Sequence, residues 1–265
     1  MQLSSKKVLL TGATGGLGRA IAISLADRGA QLILSSRKAS ELDALAAELA
    51  GSGHSTIVSD LAEPGAGRAL AEQAGDVDVL VANAGLPGTG RLQKFTADEI
   101  DRVIDVNLGA PIHMTHALLP AMLERGSGHF VYVSSLAGKT PSPRSSMYNA
   151  SKFGLRGFAL AFRQDLRGSG VSASLVLPGF IRDAGMFADA KIDPPPGMGT
   201  SSPEEVGAGV VKAIESDRSE VAVAPAQQRA LTTLGHVFPG IAARAQQGRG
   251  ESIADKLTSG QQSKR

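Results

Sequence analysis

Three residues near the middle of the chain have the types and spacing of a proton-transferring site: Ser135, Tyr148 and Lys152. Tyr148 and Lys152 are four residues apart, so on a helix their side chains lie on one face, one turn apart. An ammonium beside a phenol favours the phenolate and lowers a pKa that is ordinarily about 10. Such a phenol could exchange a proton near neutral pH, as general acid–base catalysis requires. Ser135 ends a strand-like run, and its hydroxyl could reach the same reacting oxygen.

Short apolar runs alternate with helical patterns and predict the elements that must position these side chains. Strands are predicted at residues 7–10, 31–34, 55–58, 77–81, 128–134, 171–177 and 220–224. A helix over 147–167 would carry Tyr148 and Lys152, and a long helix over 98–124 would be kinked at Pro111. This alternation indicates right-handed βαβ units. The predicted fold is α/β, a single Rossmann-type, doubly wound parallel sheet of about seven strands with helices on both faces.

A glycine-rich turn, Thr-Gly-Ala-Thr-Gly-Gly-Leu-Gly over residues 11–18, follows the first predicted strand and leads into a helix. Glycines let the backbone turn tightly and approach a pyrophosphate, whose charge a helix N-terminus stabilises. The turn therefore predicts a dinucleotide site. Dinucleotide folds usually bind the ribose 2′-hydroxyl through an acid about 20 residues past the glycines. Here strand two ends at Arg37 with no acid, and Arg37 could pair with a 2′-phosphate, so NADP(H) is predicted over NAD(H).

Composition bounds the remaining possibilities. The 265 residues, 42% hydrophobic and only 4% aromatic, suit one large α/β core, and the net charge of +2 is too small to indicate nucleic-acid binding. No apolar run approaches the roughly 18 residues of a membrane span, so membrane association is not expected and a cytoplasmic location is predicted. The chain has no Cys. His113 and His116 have no third ligand nearby in the sequence, so no metal is predicted.

Two regions are assigned. Residues 1–225 form an NADP(H)-binding Rossmann domain with a built-in catalytic site and a substrate loop at 183–202, where a Pro-Pro-Pro-Gly run interrupts the periodicity. Residues 226–265 form a C-terminal extension, predicted to be partly helical and basic.

Taken together, these motifs resemble the short-chain dehydrogenase/reductase family over roughly residues 6–224. Besides the glycine turn and the Tyr-x-x-x-Lys pair, the chain has Asp60-Leu61 after strand three and Ala-Asn-Ala-Gly at 82–85 after strand four. Asn107 matches the family's catalytic asparagine, Ser135 lies 13 residues before Tyr148, and Pro178-Gly179 follows strand six. The joint order of these motifs makes the resemblance specific.

The resemblance implies four catalytic residues: Asn107, Ser135, Tyr148 and Lys152. Tyr148 would be the general acid/base, Lys152 would lower its pKa and bind the nicotinamide ribose, Ser135 would orient the substrate oxygen, and Asn107 would hold a water in the proton relay. With Arg37 included, the expected cofactor contacts are Thr11, Gly12, Thr14, Gly15, Gly16, Leu17, Gly18, Arg37, Asp60, Leu61, Asn83, Ala84, Gly85, Tyr148, Lys152, Pro178, Gly179 and Ile181. Asp183 stands where the family often has a Thr, which leaves the role of that position open.

We therefore expect an NADP(H)-dependent oxidoreductase that transfers hydride between the nicotinamide and a carbonyl or secondary alcohol substrate. The alternatives are a non-catalytic NADP(H) sensor, or an epimerase or dehydratase on the same scaffold. The substrate is expected to be a small molecule that the sequence does not identify. Family members commonly associate, so a homodimer or homotetramer is expected.

Overall fold

Seven strands form one parallel sheet in the computed structural model, which describes residues 1–185 and 198–245. The order across the sheet is β3-β2-β1-β4-β5-β6-β7. The strands are β1 (Lys7–Thr11), β2 (Gln31–Ser36), β3 (Ser55–Val58), β4 (Val79–Ala82), β5 (Gly128–Val133), β6 (Val171–Pro178) and β7 (Glu220–Val223). The predicted α/β class and doubly wound sheet are confirmed. Residues 186–197 of the predicted substrate loop and 246–265 of the predicted extension lie outside the described residues.

The described helices connect these strands or follow the last one. They are α1 (Gly16–Ala26), α2 (Ala39–Glu48), α3 (Ala66–Ala74), α4 (Ala97–Ile104), α5 (Ala110–Glu124), α6 (Ser146–Asp165), α7 (Pro203–Glu215), α8 (Ala226–Val237) and α9 (Pro239–Ala245). None of the helices in the described part of the chain is long and apolar enough to cross a membrane.

The sheet is covered on both faces because its strands are apolar on both faces. Successive residues of a strand point to opposite sides, and in β1 Val8 and Leu10 enter one hydrophobic core while Leu9 enters the other. The first core includes residues of α1, α2 and α7, and the second includes residues of α3, α5 and α6. Burial on both sides explains why the strands read as continuous apolar runs in the sequence.

The sheet order reverses between β1 and β4. From β1 the chain moves outward to β2 and β3, then returns to place β4 on the other side of β1. The connections therefore leave a crevice at the carboxyl ends of β1 and β4, the position at which open α/β sheets bind ligands.

A π-helical turn, Asp105–Gly109, joins α4 directly to α5 and carries Asn107. Its last bond runs from the Ala110 N–H to the Asp105 carbonyl, five residues back. The predicted kink at Pro111 is therefore wrong in its position: the irregular turn precedes Pro111, which occupies the first turn of α5. Proline has no N–H to donate to the Asn107 carbonyl in α-helical register, and the π turn lies where that bond is missing.

Candidate active site

A cleft of about 970 Å³ opens along the carboxyl edge of the sheet. All eighteen residues expected to contact the cofactor line it, and Ser135 lines it as well. Asn107 is not among the lining residues and is fully buried. The predicted site residues are thus brought together at one edge, with Asn107 directly behind them.

The glycine turn lies at the switch point with its backbone exposed to the cleft. Gly12 has φ +64°, a left-handed conformation that favours glycine. A side chain at Gly18 would overlap the carbonyl oxygen of Gly12, so the first turn of α1 can pack on the turn only with glycine there. The bare backbone leaves room for a phosphate at the N-terminus of α1.

Thr11 and Asn83 tie this turn to the end of β4. The Thr11 hydroxyl oxygen accepts hydrogen bonds from the backbone N–H groups of Asn83 and Ala84, each at 3.1 Å. The Asn83 side-chain amide donates to the carbonyls of Thr11 at 3.0 Å and Gly12 at 3.2 Å. The amide group of Asn83 therefore holds the shape of the glycine turn.

The rim near the end of β2 is basic. Arg37 is exposed there and makes no ion pair among the described residues, whereas the adjacent Lys38 pairs with Glu41 at 2.5 Å. Farther along, the Asp60 carboxylate accepts a hydrogen bond from the Ala62 N–H at 3.0 Å, which fixes the turn after β3.

Arg102 is a cleft-lining residue that the sequence reasoning missed. Its Nε is buried and has no hydrogen-bond partner in the part of the chain that the structure describes. It lies on α4 four residues before Val106, another lining residue, so the two share a helix face. The four-residue spacing between Arg102 and Val106, beside the recognisable Asn107 motif, is the sequence signal that could have identified Arg102.

Ser135 and Tyr148 meet at the opposite end of the cleft. Ser135 is the N-cap of a short 3-10 turn, Leu136–Gly138, and its Oγ accepts from the Ala137 N–H at 3.1 Å. The Ser135 hydroxyl also hydrogen-bonds the Tyr148 phenol. The backbone N–H of Tyr148 donates to the Gly88 carbonyl at 3.2 Å, and this bond fixes the position of Tyr148.

Burial dominates the electrostatics of this corner. It raises the pKa of the Tyr148 phenol, and the hydrogen bond with Ser135 opposes that rise. Burial also lowers the Lys152 pKa from 10.5 to about 8. The Lys152 ammonium lies 5.8 Å from the Tyr148 ring centre and donates to the Val133 carbonyl at 3.0 Å. The lowered Tyr148 pKa that the sequence predicts is therefore wrong for the free protein, because burial raises the pKa more than the Ser135 hydrogen bond lowers it.

The Asn107 side chain is fully occupied by protein partners. Its Oδ1 accepts from the Leu86 N–H at 2.7 Å, and its Nδ2 donates to the Leu86 carbonyl at 3.0 Å and to Ser151 Oγ at 3.1 Å. Ser151 in turn donates to the Tyr148 carbonyl at 2.9 Å. Asn107 thus links the loop after β4 to the first turn of α6. Its backbone carbonyl is available to hold a water, because Pro111 cannot occupy it in α-helical register, since proline has no N–H.

A half-buried ion cluster supports the turn that follows Ser135. Glu220 at the start of β7 receives hydrogen bonds from Lys139 at 2.7 Å and Arg156 at 2.6 Å. Burial raises the Glu220 pKa, but these two bonds outweigh it and hold the pKa below its usual value. The cluster joins β7, α6 and the Ser135 turn.

Asp183 lies at the edge of the cleft. Its φ is +63°, and its side chain is exposed and lies 3.5 Å from the Arg182 guanidinium. It lines the cleft without a buried contact of its own, so the structure gives it no assigned part in the site.

A parallel sheet of this order, with a glycine turn at its switch point, defines a dinucleotide-binding α/β protein. The family model for the short chain dehydrogenase matches residues 6–194. The chain therefore belongs to the short-chain dehydrogenase/reductase family, whose members are oxidoreductases acting on small molecules.

Individual relatives agree with this assignment. The chain is 40% identical over 227 residues to "Ketoacyl reductase HetN" from Nostoc sp., covering 83% of this chain and 79% of that protein. A metagenomic short-chain oxidoreductase solved with NADP has a TM-score of 0.70 and 33% identity, covering 84% of this chain and 97% of its own. A short-chain dehydrogenase from Sphingobium yanoikuyae solved with NADPH has a TM-score of 0.78 and 26% identity, covering 92% of this chain and 97% of its own.

The residues present fit a nicotinamide dinucleotide. The cleft combines a glycine turn that leaves room for phosphates with a buried, unpartnered Arg102 Nε and an exposed Arg37. Each of these groups suits an elongated, anionic ligand.

Proposed function

We propose that this protein is an NADP(H)-dependent oxidoreductase that interconverts a carbonyl compound and a secondary alcohol, with Tyr148 as general acid/base. The observation that carries the proposal is the corner formed by Ser135, Tyr148 and Lys152 in the same cleft as the glycine turn. A bound nicotinamide supplies or accepts the hydride. The protein supplies the proton and the hydrogen bonds to the substrate oxygen.

The raised pKa of Tyr148 keeps the phenol protonated, which is the form that the reductive direction requires. A phenol whose pKa is raised by burial is protonated at neutral pH and can donate to an oxygen that becomes an alkoxide. Donation leaves a phenolate, which the Ser135 hydroxyl stabilises by hydrogen bonding and the Lys152 ammonium by its charge. Lys152 therefore acts on the charge formed during the reaction rather than on the resting phenol.

The proton path continues behind Tyr148. Lys152 can return a proton to the phenolate, since its pKa of about 8 lies near the working pH. The Asn107 backbone carbonyl is the group suited to hold a water that resupplies Lys152, because the Asn107 side chain is occupied. The relay water that the family resemblance assigns to Asn107 would thus be held by its backbone carbonyl.

Replacing Tyr148 with Phe tests the mechanism, because it keeps the ring and removes the proton. We expect turnover to fall about 10²–10⁴-fold, the usual contribution of a general acid, while NADPH affinity stays within about threefold. Ser135→Ala should lower turnover by less. Undiminished turnover in Tyr148→Phe would refute the role of the phenol.

The preference for NADP(H) is argued from Arg37. It is exposed at the rim, has no ion pair among the described residues, and no acid ends β2 to repel a 2′-phosphate. We expect Arg37→Ser to lower kcat/KM for NADPH about 10- to 100-fold and to leave the value for NADH nearly unchanged. A wild-type protein that prefers NADH would overturn the assignment.

The substrate is best sought by following NADPH absorbance over a panel of ketones, aldehydes, steroids and 3-oxoacyl thioesters. The name of the Nostoc relative makes 3-oxoacyl thioesters the first compounds to test. Substrate-dependent NADPH oxidation separates a reductase from a sensor, and also from an epimerase or dehydratase, which would consume no cofactor. Light scattering of the purified protein tests the predicted homodimer or homotetramer.

A further inference from the structure

Gln228, on α8, is a buried polar residue whose amide is fully used. Only 3% of the residue is exposed. Its Oε1 accepts from the Phe180 N–H at 3.1 Å, and its Nε2 donates to the carbonyls of Met198 and Gly199, both at 2.9 Å. All three partners are backbone groups, so one side chain joins two stretches of chain that are distant in sequence.

Both stretches belong to the catalytic cleft. Phe180 directly follows Pro178-Gly179 at the end of β6, and Met198 lines the cleft from the other stretch. Gln228 itself lines the cleft, as do Leu231 and Thr232 one turn later on α8. The helix therefore forms a wall of the cleft.

The backbone at the end of β6 lies directly on the Gln228 amide. A side chain at Gly179 would overlap Gln228 Oε1 and would lie 2.9 Å from the Ala224 side chain. Because three hydrogen bonds fix the amide, it cannot move aside freely. The position of residues 178–180 is thus set by the amide beneath them.

The same helix is also attached to the Ser135 side of the cleft. The Thr140 hydroxyl donates to the Thr232 carbonyl at 2.8 Å, and His236 Nδ1 lies 3.1 Å from the Lys139 carbonyl. Since Lys139 and Thr140 follow the Ser135 turn, α8 bridges the catalytic corner and the Pro178-Gly179 segment.

We propose that Gln228 is a positioning residue that sets the distance between the Pro178–Phe180 wall and the catalytic corner, and so orients the nicotinamide half of the cofactor. This rests on the proposed NADP(H) binding and extends it to a residue outside the family motifs. In the proposed function the adenosine half would bind at the glycine turn and Arg37, whereas the Gln228 side chain hydrogen-bonds only Phe180, Met198 and Gly199 among the described residues. Loss of Gln228 should therefore affect one half of the cofactor only.

The test compares NADP⁺ with 2′-phospho-ADP-ribose, which lacks the nicotinamide, by titration calorimetry. Gln228→Leu removes all three bonds, and we expect NADP⁺ affinity to fall about tenfold, as for one or two lost buried hydrogen bonds, with the fragment unchanged within about twofold. Gln228→Asn keeps the amide on a shorter stem and should show a smaller loss. If Gln228→Leu does not fold, the NADP⁺ affinity of Gln228→Asn still tests the proposal. The neighbouring exposed Gln227→Leu is the matched control and should bind both ligands like the wild type.

The possible outcomes separate the two proposals. Unchanged NADP⁺ affinity in the Gln228 variants, or equal losses for NADP⁺ and the fragment, would overturn the positioning role while leaving the proposed function intact. A wild-type protein that binds neither ligand would instead overturn the proposed function, and the role of Gln228 with it.

Discussion

Replacing Lys152 with Met should make the cofactor-free protein more stable at neutral pH while reducing its activity. Lys152 is 3% exposed, and the only hydrogen bond that its ammonium makes in the described structure goes to the Val133 carbonyl at 3.0 Å. Burial of a charged group costs free energy unless partners compensate for it, and here the compensation is incomplete. The site thus holds a charge that the proposed reaction uses and folding disfavours.

The magnitude follows from the lowered pKa. The difference between 10.5 and about 8 corresponds to about 3 kcal/mol of destabilisation when the lysine is charged in both states. Between these pKa values the unfolded chain binds more protons than the folded one, so this contribution raises stability as pH increases. Losing the bond to Val133 costs the variant about 1 kcal/mol. The net gain is about 2 kcal/mol at pH 6.5, and it shrinks to about 1 kcal/mol at pH 9.

Urea denaturation of the wild type and of Lys152→Met at pH 6.5 and pH 9, without cofactor, measures this difference directly. Subtracting the free energies of unfolding of the two proteins at each pH removes the contribution of groups that titrate alike in both. Lys212→Met, at an exposed position on α7, is the matched control and should show no pH-dependent gain. A Lys152→Met variant that is less stable at pH 6.5, or whose gain does not shrink with pH, would refute the reasoning.

Three other substitutions probe the cleft. Arg102→Ala should weaken NADPH binding about three- to tenfold in a fluorescence titration. The exposed Arg68→Ala should leave binding unchanged, because Arg102 lines the cleft and Arg68 does not. Asn107→Ala should lower the free energy of unfolding, measured by urea denaturation, by about 2–4 kcal/mol, because it leaves the partly buried N–H and carbonyl of Leu86 unpaired. A loss below about 0.5 kcal/mol would contradict this. Gly88→Ala places a Cβ 2.7 Å from the Tyr148 backbone nitrogen, and turnover should fall at least about tenfold with NADPH affinity retained.

The sheet could be predicted from the sequence because its strands are buried on both faces. Continuous apolar runs such as Val8-Leu9-Leu10 have no other stable placement in a chain of this kind, and the glycine turn identifies which strand opens the dinucleotide site. Ser135, Tyr148 and Lys152 were found by spacing and Asn107 by its resemblance to a family motif, because a motif records which residues meet. It does not record how deeply they are buried.

That distinction explains the errors at the site. Spacing correctly placed Lys152 one turn from Tyr148, but the pKa of the phenol depends on the protein that surrounds it, and there burial raises the pKa more than the Ser135 hydrogen bond lowers it. Gln228 was missed for a related reason. A glutamine in a polar stretch of α8 has no distinguishing pattern, and its importance arises only when α8 packs across the ends of β6 and the Ser135 turn.

The π turn at Asn107 shows how local sequence and distant packing act together. Pro111 removes the N–H that would occupy the Asn107 carbonyl in an α-helix, which is a local effect visible in the sequence. The Asn107 side chain is drawn inward by Leu86 and Ser151, which is a tertiary effect. The irregular turn at Asp105–Gly109 lets Asn107 satisfy both conditions without ending the helix. The same turn leaves the side chain as a structural anchor and the carbonyl as the acceptor that would hold the water of the proposed relay, so under that proposal one residue serves folding and catalysis through different groups.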